Sequence, residues 1–255
     1  MGIKIKEFSK IPKMNQSILI EGLPGIGNVG KIAADFIVDS LKAKKLYEIT
    51  SDSFPHSVFV NEKNLVDLPS IQLYYKKTKE NNLLILSGDI QPLDERSCYE
   101  FCEEILKLLE KLNGKEIVTL GGIGLPKIPK KPKVYCTANK KRIIDKYKTK
   151  NLNPNIFGVV GPIVGVTGLL IGLASQKNLD AIALLSQTYT HPAYLGIKGA
   201  RELLKILNQR FNLDLDLDQL DEEIEEMEQE LKTTQEISEV QKKPKQTTHD
   251  VSYIG

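Results

Sequence analysis

The sequence predicts an α/β protein, a three-layer sandwich of helices around a mixed sheet, and three observations carry that expectation. Apolar runs bounded by glycine recur along the chain, helical patterns fall between several of them, and some strand-like runs follow one another with no helix between. The apolar runs lie at 18–20, 71–75, 83–86, 117–120, 157–160 and 181–185, and their near-continuity suits strands covered on both faces. Helical spacing covers 32–41, 96–112, 166–176 and 198–208. Strands near 47–50, 57–60 and 71–76 lack a crossover helix, so part of the sheet is expected to be antiparallel.

The first buried strand runs into Gly22-Leu-Pro-Gly-Ile-Gly-Asn-Val-Gly30 and then into a helix. The letters Gly25-x-Gly27-x-x-Gly30 spell a dinucleotide-binding fingerprint, and Glu48 and Asp52 sit near the distance at which an acidic residue would hold a ribose hydroxyl. Two departures weigh against a cofactor. Gly22, Leu23 and Pro24 lengthen the elbow, and Ser53-Phe-Pro-His56 follows the second strand where a crossover helix belongs. The competing reading is that these glycines let a helix approach the sheet.

The second loop, Ser87-Gly-Asp-Ile-Gln-Pro92, also joins a buried strand to a helix. Asp89 there could ligate a metal, orient a hydroxyl, or cap the helix, and capping is the simplest role. Cys98 and Cys102 fall one helical turn apart, a spacing that packing explains more simply than metal binding. Thr119-Leu-Gly-Gly-Ile-Gly-Leu-Pro126 lacks the Gly-Lys-Ser/Thr ending of a phosphate-binding loop. His191 could serve as a general base if the fold brought it near Asp89, but a lone loop histidine is more often structural. A nucleotide- or nucleoside-handling enzyme would use Gly25, Gly27, Asn28, Asp89 and His191 as its pocket.

The stretch from Lys127 to Lys150 carries ten basic residues against the single acid Asp145, yet contains no recognisable nucleic-acid module. Between Lys150 and Lys177 no residue is charged, and 156–174 is long enough to cross a bilayer. Five glycines and Pro162 interrupt it, which favours a buried strand, a loop and a core helix. On that helix Gly165, Gly168 and Gly172 share a face that lets another backbone come close.

After Asn212 the composition changes. The expected organisation is a core domain over 1–212, an acidic amphipathic helix over 213–232 and a flexible tail over 233–255 that ends in a docking segment. Asp214 to Glu230 contains ten acidic residues and no basic one, while Leu217, Leu220, Ile224, Met227 and Leu231 step along one helical face. The tail is polar up to the apolar tip Val251-Ser-Tyr-Ile-Gly255.

Overall charge is nearly balanced, with 35 basic and 33 acidic residues, so no global field draws the chain to nucleic acid or membrane. Three cysteines do not make a disulfide framework, and the charged residues Lys4, Lys6 and Glu7 after Met1 are not a signal sequence. A cytoplasmic protein is expected.

Four motifs in order, Gly22–Gly30, Ser87–Pro92, Thr119–Gly124 and Gly161-Pro-Ile-Val-Gly-Val-Thr-Gly-Leu-Leu170, make the chain resemble the archaeal homologues of the proteasome-assembling chaperone family over about 18–211. The resemblance implies an α/β core similar to nucleoside phosphorylases. It also implies a homo-oligomer, with a tetramer among the candidate sizes, whose partners are proteasome α subunits and which needs no cofactor or ATP. An ATP-grasp ligase label is sometimes attached to the group, but the acidic magnesium ligands and lysines of such a ligase cannot be placed here. Proteasome-binding factors of this kind often end in a hydrophobic residue, tyrosine and one more residue. Here Ser252, Tyr253, Ile254 and Gly255 form the expected partner-binding segment, with Tyr253 displaced by one position.

Overall fold

The structure, a computed structural model, describes residues 2–226. Up to Phe211, eleven strands and five helices follow one another: β1 (Ile3–Glu7), β2 (Ser17–Gly22), α1 (Val29–Ser40), β3 (Lys44–Ser51), β4 (Phe59–Val60), β5 (Val66–Asp67), β6 (Ile71–Lys77), β7 (Asn82–Gly88), α2 (Glu95–Lys111), β8 (Gly114–Leu125), β9 (Val134–Ala138), α3 (Lys141–Tyr147), β10 (Leu152–Asn153), α4 (Val166–Gln176), β11 (Asp180–Tyr189) and α5 (Ile197–Phe211). A 3₁₀ turn, Ile26–Asn28, precedes α1.

Nine strands form one sheet in the order β1-β3-β6-β7-β2-β8-β11-β9-β10. The centre, β7-β2-β8-β11, is parallel, and β1, β3 and β6 extend it with antiparallel pairing. β9 runs antiparallel to β11, and β10 parallel to β9. The mixed sheet expected from the sequence is therefore present. Its central strands are buried on both faces, which is why β2 and β7 read as unbroken apolar runs.

Helices α1 and α5 cover one face and pack on each other, joined by α3 through the edge contact of Tyr147 with Phe211. Helices α2 and α4 cover the other. Each helix presents a stripe at i, i+3 and i+4: Ala33, Ala34 and Ile37 on α1, Phe101, Ile105 and Leu109 on α2, Leu203, Leu204 and Leu207 on α5, all buried. Full burial of each Leu or Ile contributes about 1.5–3 kcal/mol.

Several expectations change. The apolar run 157–160 is no strand: it makes only an isolated bridge between Phe157 and Val160, and Phe157 is fully exposed. The run at 57–60 contributes only β4, which pairs with β5 in a separate two-stranded ribbon. β1, β9, β10 and α3 lie in stretches the apolar pattern did not mark. The uncharged segment 156–174 divides into a loop and the eleven-residue α4, and no helix among the described residues is long and apolar enough to cross a membrane.

The chain separates into a unit of residues 1–216, containing the whole sheet, and a unit of residues 217–255. In the second unit residues 218–226 are helical, while Met227, Leu231 and the segment Ser252–Gly255 lie outside the described residues.

Candidate functional site

The glycine motifs converge where β2, β8 and β11 finish. A Cβ on Gly22 would stand 2.2 Å from the carbonyl oxygen of Gly30, and one on Gly30 would stand 2.3 Å from that of Leu120. These two glycines let α1 descend onto β2 and β8 closer than any side chain permits. Gly27 has φ +63°, the left-handed region, and its carbonyl accepts from Gly196 N at 2.7 Å. The β11–α5 loop thus lies against the first turn of α1, where a dinucleotide fold would seat a pyrophosphate. The fingerprint spelling marks close backbone packing, as the longer elbow suggests. Of its glycines only Gly25 faces open space.

That open space is a cleft of about 890 Å³. Its walls are the Leu23–Ile26 loop, the start of α2 with Asp94, Cys98 and Tyr99, the Gly121–Gly124 end of β8, and the loop 159–165 leading into α4. Gln91 ties these walls together. Its Nε2 donates to Pro24 O at 2.6 Å, its Oε1 accepts from Val166 N at 3.4 Å, and a Cβ on Gly165 would strike that same Oε1. The small-residue face expected on α4 holds only in part. Gly168 abuts the backbone of Ile163 and Gly165 meets Gln91, but Gly172 faces open space along the cleft.

Beneath the cleft sits Glu21, fully buried on β2. Its Oε1 accepts from Leu23 N at 3.1 Å, whereas Oε2 finds no hydrogen-bond partner among the described residues. Burial pushes its carboxyl up to about 8, against the lowering influence of the Leu23 N–H and the Thr167 hydroxyl. At neutral pH it is therefore protonated. Thr119, its register partner on β8, is buried with an equally unpartnered hydroxyl. Cys98 and Cys102 of α2 are buried free thiols that share a hydrogen bond, which pushes the Cys102 thiol up. The sequence reading missed Glu21, Thr119 and Gln91. Its only available signal was the lone acidic residue at the end of an apolar run.

Of the five residues assigned to a nucleotide pocket, only Gly25 lines the cleft. Asp89 does not cap α2; that role belongs to Asp94, whose carboxylate accepts from Ser97 N at 2.9 Å and Ser97 Oγ at 2.6 Å. Asp89 instead faces Lys31 of α1 at 3.7 Å. His191 is exposed, accepts from Ala193 N at 3.2 Å and stacks on Tyr189. Because β2 and β8 lie between β7 and β11, Asp89 and His191 sit three strand spacings apart, roughly 14 Å. They form no acid–base pair. The basic stretch is partly consumed internally, since Lys140 and Arg142 bind Asp180 and Lys146 binds Glu116.

Comparison with known proteins agrees with this architecture. Protein MJ1210 of Methanocaldococcus jannaschii is 29% identical over 255 residues, covering 98% of this chain and 96% of its own length. Among solved structures, PbaB of Pyrococcus furiosus, an archaeal proteasome activator, superposes with a TM-score of 0.85 at 29% identity, over 92% of this chain and 99% of its own. PbaA of the same organism, an archaeal homologue of proteasome-assembly chaperone, gives a TM-score of 0.75 at 25% identity over 94% of each chain. These likenesses give no support to a ligase of the ATP-grasp kind. The model of the PAC2 family matches residues 19–235, and the chain belongs to the PAC2 family.

Proposed function

We propose that this protein is a proteasome-assembly chaperone that works by binding, holding proteasome α subunits or their assembly intermediates as a cytoplasmic homo-oligomer without using ATP. The observation that carries this reading is the likeness to PbaB and PbaA over nearly the whole chain. The site supports it. The cleft is walled mostly by backbone, glycine and apolar side chains, with Gln91, Asp94 and Glu95 on one side, and the carboxyl of Glu21 is buried, an arrangement suited to contact with another protein. In this reading the sheet domain carries the subunit contacts, the acidic stretch 214–231 organises subunits or projects the C-terminal tail, and Ser252–Gly255 enters a partner pocket.

Capture of purified proteasome α subunits, by the full chain and by a chain ending at Thr248, tests the proposal with and without ATP. The full chain is expected to retain α subunits equally in both conditions, and the shortened chain to retain several-fold less. Equal capture by both chains would remove the tail from the mechanism. No capture by either would overturn the chaperone reading itself.

A further inference from the structure

Beneath the cleft the fold buries polar atoms and leaves them unpaired. Glu21 Oε2 and Thr119 Oγ1 are both enclosed without a hydrogen-bond partner among the described residues, and they stand on adjacent strands in register. Buried polar side chains are ordinarily paired, so two unpaired neighbours point to a group that completes them. Both face the cleft. The groups that act on the Glu21 carboxyl include the Leu23 N–H, the Thr167 hydroxyl and the Cys98 thiol, and all three residues line the cavity. On β8 a Cβ at Gly121 would lie 2.9 Å from Leu185 and 3.5 Å from Thr167, both in that lining, and strand alternation turns Thr119 to the same side.

The cavity above them has the dimensions of a small-molecule site. Its volume of about 890 Å³ falls within the roughly 300–1,000 Å³ of such pockets, and its walls are mostly glycine and apolar side chains. Its charge is one-sided. The ionisable groups of the lining are the carboxylates of Asp94 and Glu95, the Cys98 thiol and the Tyr99 phenol, and no lysine, arginine or histidine stands among them. Hydrogen bonds from Ser97 hold the Asp94 carboxyl below its ordinary range, so that group is ionised at neutral pH. Such a lining favours a cation with an apolar body. Among the described residues no three side chains of His, Cys, Asp or Glu stand together to hold a metal ion, so the cation it suits is organic.

We propose that the cleft binds a small organic amine, its aliphatic body against Val160, Ile163 and Leu185 and its ammonium head on Glu21 Oε2, Thr119 Oγ1 and the Thr167 hydroxyl. An ammonium has three donors and no acceptor, and these three oxygens are acceptors that the fold leaves available. The head displaces the proton that Glu21 carries in the empty cleft, and that proton leaves to solvent. The resulting carboxylate then pairs with the ammonium in place of water. The other ionisable groups that face Glu21 are the Cys98 and Cys102 thiols of α2, while β8 and α4 present hydroxyls and β7 presents Leu86. The inference goes beyond the proposed function and does not rest on it, since binding is read on this chain alone.

Calorimetric titration of the full chain with n-octylamine, n-octanol and n-octanoate at neutral pH tests it, because the three probes share a chain and differ in the head. Octylamine is expected to bind tightest, with the alcohol and the acid weaker by about tenfold or more, as the loss of a charge-assisted hydrogen bond implies. Titration in two buffers of different ionisation enthalpy should show a proton released on amine binding. Glu21→Gln, of the same shape, should bind octylamine about tenfold more weakly and release none. Gly172→Leu provides a second variant should that one misfold: it sends a side chain into the cavity from a helix position with nothing within 4 Å, and it should weaken all three probes. Equal affinity for the three heads, amine binding without proton release, or unchanged amine binding by either folded variant would overturn the proposal. Absence of binding by every probe at millimolar concentration would overturn it as well, and would leave the cleft to a macromolecular partner.

Discussion

Where β2, β8 and β11 begin, the protein is tied together by charge; where the same strands finish, charge gives way to glycine and aliphatic side chains. At the beginning, Glu116 is buried and accepts from Lys146 Nζ and from Tyr147 Oη at 2.6 Å, while the Arg210 guanidinium lies 5.2 Å over the Tyr147 ring. Asp180 holds Lys140 and Arg142, and Ser17 Oγ donates to Leu112 O at 2.7 Å. At the finish, Gly22, Gly30 and Gly122 bring backbone against backbone, and the nearby cleft is open and mostly apolar, with Asp94 and Glu95 in its lining. One strand, β8, carries both characters, with Glu116 near its start and Gly122 near its end. The contrast teaches a division of labour: one end anchors helices by paired charges, and the other lets helices approach the sheet through glycine.

The sharpest way to break this comparison is Glu116→Ala, which strands Lys146 and the Tyr147 hydroxyl without their acceptor. Lys146 is partly exposed and can turn to water, so the main cost is the buried Tyr147 hydroxyl left without its acceptor, about 1–3 kcal/mol, and urea denaturation should show a loss of that order. A loss under about 1 kcal/mol would mean that the anchored end is anchored by packing alone. At the other end, Gly30→Ala drives a methyl into the Leu120 carbonyl, and overpacking of this kind costs about 1–3 kcal/mol even after the helix-propensity gain. The same change at Gly25, where nothing lies within 4 Å, is its control and should stay within about 0.5 kcal/mol. Equal effects at the two positions would dissolve the distinction between packed and open glycines.

A third experiment reads the buried carboxyl of Glu21 near the finish of β2. Glu21 keeps its proton in the fold up to about pH 8, whereas the unfolded chain releases it above about 4.5. The folded state therefore binds more protons across that window. The stability Glu21 contributes is complete below 4.5 and is lost as pH rises towards 8, at up to about 1.4 kcal/mol per pH unit. Glu21→Gln removes this dependence. Unfolding free energies at pH 5, 6.5 and 8 should show the variant gaining on the parent as pH rises, and parallel curves would show that the carboxyl is ionised in the fold.

Much of this contrast was legible in the residues and part was not. The central strands and the four long helices announced themselves, because a strand buried on both faces must be apolar throughout and a packed helix must carry a stripe. The elongated elbow at Gly22-Leu-Pro pointed to a packing role, and Gly22, Gly27 and Gly30 do sit in close contact with neighbouring atoms. Edge strands gave weaker signals. β1 alternates lysine with isoleucine in five residues, and β9 lies directly after a lysine-rich stretch, so neither reads as core. The run 157–160 misled because apolar residues can gather in a loop when their surface is itself part of a mouth. Asp94 and Asp89 are equally good caps on paper, and only the backbone decides which of them precedes the first turn. Glu116 could not be foreseen as buried, since its partners Lys146 and Tyr147 lie some thirty residues away on α3, and Glu21 is buried with only the nearby Leu23 N–H as its donor, which leaves no pattern in the sequence.

The hydrogen bond from Gly196 N to Gly27 O has a mechanical meaning. It rivets the turn beside the cleft to the first residues of α5, so neither can shift without the other. Helix α5 then runs fifteen residues, about 22 Å, to Phe211, six positions before the second unit begins at Leu217.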